Sequence, residues 1–328
     1  MSLKILLVRV SSLGDVLHNL PMVADILRHR PDAIIDWVVE EGYVSLVRLN
    51  PHVRKILPWG LRRWRKSLGK KETRAEIKAF FKTLREEEYD YVFDTQGLLK
   101  TGIIMGAARI KAGGAKVGLA NGSEGSGYEG ISRIFHTKSI ALDPRTHAVA
   151  RGRMVAAAAL GYSADSAPDF GLPGPDTANL PDWMPAEPYC VFFHGTARDA
   201  KKWASANWIE TGRALAPMPV LLAWGSPAEK LEAETLAASL PNARVLPKLS
   251  MDQAVSLARN AALAIGVDTG LTHIAAAFVR PTVELYCDSP KWKTEGNWSP
   301  RIVNLGDQGA PPSAAEAIAA ARTLLGQG

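Results

Sequence analysis

The chain reads as an α/β protein built from two doubly wound, Rossmann-like domains that face a central cleft. Three observations carry this reading. Apolar runs of strand length alternate with amphipathic stretches of helix length over all 328 residues. The runs end in short polar turns, at 11–15, 40–42, 94–97 and 268–270. The pattern is interrupted once, at 165–188, where six prolines fall (Pro168, Pro173, Pro175, Pro181, Pro185 and Pro188), and then restarts. The expected organisation is a first domain at 1–165, a linker at 166–188 and a second domain at 189–328, with the last helix packing back on the first domain. Ligands of doubly wound sheets bind beyond the carboxyl ends of the strands, so the polar turns are where function is expected.

Residues 3–10 form an apolar run punctuated only by Lys4 and Arg9, as a parallel-type strand would be. Ser11-Ser12-Leu13-Gly14-Asp15 follows and enters a helical stretch that reaches about His29, with Pro21 starting a second piece or kinking the first. Further strands are expected at 34–39 and 53–57. The helix expected at 73–88 carries Ile77, Phe80, Phe81 and Leu84 on one face. A strand at 89–94 ends in Thr95-Gln96-Gly97, before a helix from Leu98. Residues 113–130, rich in Gly and Ser, read as a mobile loop able to close over an acceptor. Asp15 stands at a strand end and a helix start. It is either a helix-start acid, worth roughly 0.3–1 kcal/mol against the dipole, or a general base held in a cleft. Arg9, if buried, needs an acidic partner or positions a substrate acid.

Hydrophobic content of 47% and charged content of 22% supply ample cores and exclude global disorder. The two cysteines, Cys190 and Cys287, lie in apolar segments without metal-ligand spacing, which fits a reducing compartment. The first residues enter a strand directly with no signal peptide, and no apolar run approaches the roughly 20 residues that span a bilayer. A soluble, cytoplasmic protein is expected. The net charge of +6 is unevenly placed: between Arg54 and Arg85 there are twelve Lys/Arg against Glu72 and Glu76, so the rest of the chain is net negative. A confined basic patch points to an acidic partner such as a phosphorylated lipid, an anionic sugar or nucleic acid. Its densest part, Arg62-Arg63-Trp64-Arg65-Lys66, is either a solvated loop or a docking surface for phosphates and carboxylates. So one-sided a run offers little internal charge pairing, and Trp64 suits a membrane interface. Without repeated aromatics for base stacking, nucleic acid is not the expected partner.

In the second half a strand at 189–193 opens into the polar loop His194-Gly195-Thr196-Ala197-Arg198-Asp199-Ala200-Lys201-Lys202-Trp203. A helix from about Ala206, a strand at 220–224 and a helix carrying Glu229 follow. Residues 245–248 lead into Ser250-Met251-Asp252-Gln253, a capping box. The strand at 263–267 then feeds a helix at 271–278 through a tight turn. A last strand is expected at 282–286, and Ser313 caps a final Ala-rich helix. Unpaired N–H groups and the dipole at the 271–278 helix start favour an anion, typically phosphate. Thr269, Thr272 and His273 add donors there and Asp268 an acceptor. The plainer alternative makes Asp268 and Thr269 a helix cap and His273 a satisfied half-buried histidine. Lys201 can neutralise phosphate as a compact point charge and Thr196 can donate a hydroxyl, unless Lys201-Lys202 is only a solvated pair. Glu229 can accept from a ribose or simply sit at a helix start. No G-x-G-x-x-G follows the first strand and no Walker motif occurs, which argues against dinucleotide oxidoreductases and NTPases. No D-x-D and no His/Cys cluster calls for a catalytic metal.

The motifs Ser11-Ser12-Leu13-Gly14-Asp15-Val16-Leu17-His18, Asp36-Trp37-Val38-Val39-Glu40-Glu41-Gly42, Arg62-Arg63-Trp64-Arg65-Lys66, Asp94-Thr95-Gln96-Gly97-Leu98 and the two C-terminal turns occur in one order over nearly the whole chain. Together they resemble glycosyltransferase family 9, the inverting heptosyltransferases of lipopolysaccharide synthesis, whose two-domain fold is termed GT-B. The first motif and the basic run favour the first heptosyltransferase over the second. The resemblance implies transfer of L-glycero-D-manno-heptose from ADP-heptose to a Kdo hydroxyl of Kdo-lipid A. It implies no cofactor and no metal, and a peripheral place at the cytoplasmic face of the inner membrane. It makes Asp15 the catalytic base, Thr196 and Lys201 donor diphosphate ligands, and Asp268 a contact of the donor sugar. Thr269, Gly270 and His273 belong to its phosphate-binding turn, Glu229 to its ribose site, and Leu249 stands near the adenine where a Met is expected. Arg62, Arg63, Arg65 and Lys66 correspond to the surface that receives the acidic inner core and meets the membrane. Ala197 replaces a second Thr, and 118–130 lacks an Arg expected near the acceptor.

Overall fold

In the computed structural model, which describes residues 2–176 and 180–327, the apolar runs pair side by side as parallel strands. Residues 177–179, within the expected linker, lie outside the described residues. The chain divides into two compact units, Met1–Gly171 and Leu172–Gly328.

The first unit contains β1 (Lys4–Val8), α1 (Leu13–His18), α2 (Leu20–His29), β2 (Ile34–Glu40), α3 (Val44–Arg48), β3 (Val53–Trp59), α4 (Leu61–Trp64), α5 (Lys71–Leu84), β4 (Glu88–Asp94), α6 (Leu99–Ala107), β5 (Arg109–Leu119), β6 (Lys138–Ile140) and α7 (Ala148–Leu160). Its sheet runs β3-β2-β1-β4-β5-β6, parallel throughout. Consecutive residues of β1 and β2 are buried, so both faces are covered and the strands read as near-continuous apolar sequence. Two of the buried carboxylates of this unit are ion-paired. Asp36, fully buried in β2, accepts from Arg54 at 2.9 and 2.6 Å and from the Tyr89 hydroxyl at 2.9 Å. Asp25 is held by Arg153 at 2.6 Å. Pro21 falls in the first turn of α2, where its missing N–H costs no intrahelical bond. On α5 the apolar face delivers Phe80 and Leu84 to a core shared with Trp59 and Trp64.

Several parts of this unit depart from expectation. Residues 113–119 belong to β5 instead of a mobile loop. Gly113, at φ +79°, sits where the β4–β5 register shifts, and a Cβ on Gly114 would fall 2.9 Å from the Asp90 carbonyl oxygen and 3.1 Å from that of Tyr89. The glycines mark a bulge, so only the stretch beyond Leu119 turns away from the sheet. Strand β6 and helices α3 and α7 were not foreseen. β6 is three residues long at a sheet edge, and α7 opens on Ala148 behind His147, whose ring nitrogen accepts from Val149 N–H as an unusual cap.

The second unit contains β7 (Cys190–Phe193), α8 (Ser205–Ala214), β8 (Val220–Leu222), α9 (Pro227–Ala237), β9 (Ala243–Val245), α10 (Met251–Asn260), β10 (Leu263–Val267), α11 (Gly270–Ala277), β11 (Thr282–Tyr286), β12 (Ile302–Gly306) and α12 (Ala314–Leu324). Its parallel sheet runs β12-β11-β10-β7-β8-β9. Strand β12 extends the sheet past the expected last strand. The final helix has Ala314, Ala317, Ala320 and Ala321 in the second unit's own core. Small side chains there let α12 lie close to the sheet.

Counted from its own first strand, each sheet has the same order, 3-2-1-4-5-6. In each, the chain winds one way through strands one to three, returns, and winds the other way from strand four. The crevice beyond the carboxyl ends of strands one and four is the topological switch point, where doubly wound sheets bind ligands. In the first unit that places 9–15 beside 94–100; in the second it places 194–203 beside 268–273.

Candidate active site

At the first switch point the chain leaves β1 at Arg9. Its guanidinium meets Asp15 Oδ1 at 2.7 Å and also donates to the Thr95 carbonyl beyond β4. The other Asp15 oxygen accepts from Ser12 N–H at 2.9 Å and from Ser12 Oγ at 2.8 Å, the reciprocal geometry of a capping box on α1. Asp15 therefore is a helix-start acid in form, yet its side chain remains 41% exposed, so the carboxylate can still be reached from solvent. Burial pushes its pKa up. The Arg9 charge and the Ser12 donors outweigh burial and hold the carboxyl below its ordinary value. Asp15 is the acidic partner that the partial burial of Arg9 calls for.

The two turns are tied together. Val10 N–H donates to Gln96 Oε1 at 3.0 Å, Gln96 Nε2 to Ser11 Oγ at 3.2 Å, and Lys100 Nζ to the same Ser11 Oγ at 3.1 Å. Asp94, buried at the end of β4, accepts from the N–H groups of Gln96 and Gly97 at 2.9 and 3.0 Å and fixes that turn. Glu40, at the end of β2, is raised in pKa by burial against the pull of Arg62. Burial lowers Lys100, with the Glu40 charge working against it. Lys100 escaped the sequence reading. Its only signal was a lysine in the first turn of a helix that follows a strand-end motif, where the dipole disfavours a cation.

The basic run is more ordered than expected. Residues 61–64 form α4, and Arg63 is gripped by Glu41 at 3.1 Å and by Glu76 at 2.7 Å. Arg62 stands over the Tyr43 ring at 5.5 Å and donates its backbone N–H to Glu40. Trp64 is buried, packs edge-on against Trp59 and Phe80, and donates its indole N–H to Glu76 at 2.9 Å. It is a core residue and cannot enter a membrane. The expectation of little internal pairing fails for Arg63, because Glu41 and Glu76 arrive from other elements. Arg62, Arg65 and Lys66 remain exposed.

At the second switch point Asp268 follows β10 and Thr269 is the N-cap of α11, its hydroxyl making no cap bond. Lys201 reaches across from the 194–203 loop to Asp268 Oδ2 at 2.5 Å. The other Asp268 oxygen accepts from His273 Nε2 at 3.0 Å, and His273 Nδ1 donates to Glu284 Oε1 at 2.8 Å. Glu284 Oε2 accepts from the Tyr286 hydroxyl at 3.1 Å and from Gly296 N–H at 2.8 Å. The result is a buried chain of alternating charge, lysine, carboxylate, imidazole, carboxylate. Burial alone would strip the proton from His273. The Glu284 charge and the hydrogen bonds to Asp268 and Glu284 overcome that and hold its pKa at about 10, so the ring is an imidazolium. Asp268 is pushed up by burial and pulled down more strongly by His273 and Lys201, to well below the ordinary carboxylate range.

This corrects two expectations. Both ring nitrogens of His273 face carboxylates, so it orients Asp268 and is not a phosphate donor. Thr272 is fully buried and donates to the Val267 carbonyl at 2.8 Å, closing the turn instead of facing a ligand. Glu284 was missed. Its signal was a carboxylate inside the apolar strand Thr-Val-Glu-Leu-Tyr, a position that demands a buried partner. The amides of the first α11 turn, with Thr269 and Gly270, keep the anion-binding character of a helix start.

In the facing loop Thr196 is half-exposed and Ala197 exposed. Glu229 fills a capping box on α9, its carboxylate accepting from Gly225 N–H at 2.6 Å and Ser226 N–H at 3.1 Å. A Cβ on Gly195 would lie 2.7 Å from the Glu229 carboxyl carbon, so that glycine lets the acid lie against the loop after β7. Leu249 is half-buried immediately before the Ser250 cap. Among the described residues no group of three or more His, Cys, Asp and Glu side chains is gathered as a metal ion would require.

Comparison with known proteins shows which family the chain resembles. The family model described as glycosyltransferase family 9 (heptosyltransferase) matches residues 77–318. The chain is similar to lipopolysaccharide heptosyltransferase 1 of Pseudomonas aeruginosa, 39% identical over 287 residues, which covers 87% of this chain and 78% of that protein. It is also similar to a solved structure titled as the E. coli heptosyltransferase WaaC with ADP. The TM-score is 0.84 at 30% identity, over 98% of this chain and 100% of that one. The same enzyme solved with ADP-2-deoxy-2-fluoro heptose gives a TM-score of 0.76 at 31% identity, over 98% of each chain.

Proposed function

Because this chain belongs to glycosyltransferase family 9, the heptosyltransferases, we propose that it moves L-glycero-D-manno-heptose from ADP-heptose to a Kdo hydroxyl of Kdo-lipid A, with inversion at the anomeric carbon. One observation carries the mechanism: each switch point holds the groups that one half of the reaction needs. The first presents an ionised, reachable carboxylate, Asp15. The second presents Lys201 and Asp268 at the start of α11.

In this reading the acceptor hydroxyl hydrogen-bonds Asp15 and its oxygen attacks the anomeric carbon from the face opposite ADP. A carboxylate as acidic as Asp15 takes the proton late, once the oxygen has begun to bond to carbon and has become acidic itself. The transition state has oxocarbenium character, as in other glycosyl chemistry. Negative charge grows on the leaving diphosphate. Lys201, Thr196, Thr269 and the first α11 amides meet it without reorganising, which is where a pre-set polar site gains most. Asp268 binds a heptose hydroxyl, Glu229 the ribose, and Leu249 packs near the adenine. Arg62, Arg63, Arg65 and Lys66 receive the phosphates and carboxylates of the inner core. No cofactor or metal takes part, and the protein works at the cytoplasmic face of the inner membrane.

The test is a transfer assay with ADP-heptose and Kdo-lipid A in EDTA, following ADP release and product mass together. Transfer persists in EDTA. Asp15→Asn lowers turnover by at least about 100-fold, the scale of one general base, while ADP affinity stays within about threefold. Unimpaired transfer by Asp15→Asn removes Asp15 as the base. ADP binding without heptose transfer redirects the search to other sugars and acceptors.

A further inference from the structure

Four of the eight large apolar side chains exposed among the described residues, Leu99, Ile103, Ile131 and Ile134, come from two neighbouring elements. The first pair lies on α6 and the second on a short 3-10 helix, Gly130–Phe135. A glycine groove joins these elements. A Cβ on Gly102 or on Gly106 would fall 2.6 or 2.5 Å from the Phe135 ring, so that ring sits directly on the α6 backbone. With Phe135 turned inward, Ile131 and Ile134, one 3-10 turn apart, project together the other way. On α6, Leu99 and Ile103 are one turn apart on the flank of the glycine stripe, beside the seat of the 3-10 helix. The exposures run from 41% for Leu99 to 67% for Ile134.

Cations neighbour this platform. Arg133 lies between the two isoleucines and is exposed, and Arg62 and Arg65 are near enough for their charge to bear on Lys100, the neighbour of Leu99. Glu129, the acid at this edge, is occupied by Leu99 N–H at 2.6 Å. The apolar area amounts to about two fully exposed side chains, far below the roughly 800 Å² per partner of a standard protein interface. Small apolar wedges ringed by arginine match the boundary between headgroups and acyl chains.

We propose that Leu99, Ile103, Ile131 and Ile134 insert into an anionic phospholipid bilayer while Arg133, Arg62 and Arg65 meet its headgroups. This deepens the proposed function by naming the surface on which a lipid-linked acceptor is met, and rests on that reading; vesicle binding tests it without turnover. The experiment is flotation of the full chain with phosphatidylglycerol/phosphatidylethanolamine vesicles against neutral phosphatidylcholine. The wild-type chain floats with the anionic vesicles. The pair Ile131→Ser/Ile134→Ser binds them at least about tenfold more weakly, the scale of two partly buried apolar side chains. Its melting curve and its transfer to an acyl-free acceptor sugar are unchanged. Undiminished vesicle binding by the serine pair overturns the proposal, as does a wild-type chain that does not float. A wild-type dimer that the serine pair makes monomeric overturns it too, because a second copy then covers the platform. If the wild type floats, the serine pair does not, and neither transfers heptose, the platform stands and the transferase reading falls.

Discussion

Replacing His273 by Gln tests the buried charge chain of the second unit. In the wild type the imidazolium lies between Asp268 and Glu284, at 3.0 and 2.8 Å, and is 3% exposed. Glutamine can keep one hydrogen bond but not the charge, which leaves two buried carboxylates with only Lys201 to balance them. Breaking a buried pair in this way costs about 3–5 kcal/mol. Linkage gives a second route to the magnitude. The His273 pKa rises from 6.5 to about 10 on folding, which at about 1.4 kcal/mol per tenfold change in proton affinity is about 5 kcal/mol. The depression of Asp268 is the other face of the same attraction and is counted once. Because the folded value lies above the unfolded one, the stabilisation is complete below about pH 6.5 and is lost as pH rises through about 10. The assay is urea unfolding read by pulsed hydrogen exchange on peptides from β10 to β11, which follows the second unit by itself. His273→Gln should unfold at much lower urea near pH 6, and the gap should close as pH approaches 10. A gap below about 1 kcal/mol at pH 6, or one of equal size at both ends of the range, would mean that the ring is neutral and the electrostatic account wrong.

Two further outcomes follow from packing. Trp64→Ala should cost the first unit about 3–5 kcal/mol, since the indole fills the core beside Trp59 and Phe80. Folded Trp64→Ala should float with anionic vesicles as well as the wild type does, and a selective loss of flotation in folded protein would restore a membrane role for Trp64. Gly195→Ala pushes a methyl into the Glu229 carboxyl and so breaks its bonds to Gly225 and Ser226. ADP affinity by calorimetry should drop on the order of tenfold, the scale of one charge-assisted hydrogen bond. Unchanged affinity would take Glu229 out of the ribose site.

The buried parallel strands were legible because both faces are covered. Residues 263–267 are a plain apolar run and 282–286 one interrupted by Glu284, and both are strands in the structure. Edge elements were not. β12 is half-buried along most of its length and mixes Ile, Val and Asn, so it offers no such run. Gly113 and Gly114 look the same in sequence whether they loosen a loop or absorb a bulge, and only the register of β4 against β5 separates the two. The candidate site was half legible for a similar reason. Asp15, Lys201 and Asp268 follow strands and announce themselves by position. The role of His273 was hidden because its partner Glu284 lies eleven residues on, in another strand. Pairing of β11 beside β10, with Glu284 opposite Gly266, brings the two together. Trp64 was misread because composition shows the arginines around it and not the aromatic pocket that α5 and β3 build for it.

The repeated strand order has a consequence for how such a chain can change over time. The turn after the first strand carries Asp15 in one unit and Lys201 in the other, and the turn after the fourth carries Gln96 and Asp268. Equivalent addresses on two frames of one strand order thus carry unlike residues, and in the proposed function unlike tasks. Each sheet holds its own turns with its own core, Trp59, Trp64 and Phe80 in one, Trp203, Trp208 and the alanines of α12 in the other. A substitution in the turns of one copy leaves the supporting core of the other untouched. On the proposed division of labour the two halves are cassettes: descent can rewrite the alcohol that the first unit presents while the nucleotide site of the second is kept, or the reverse.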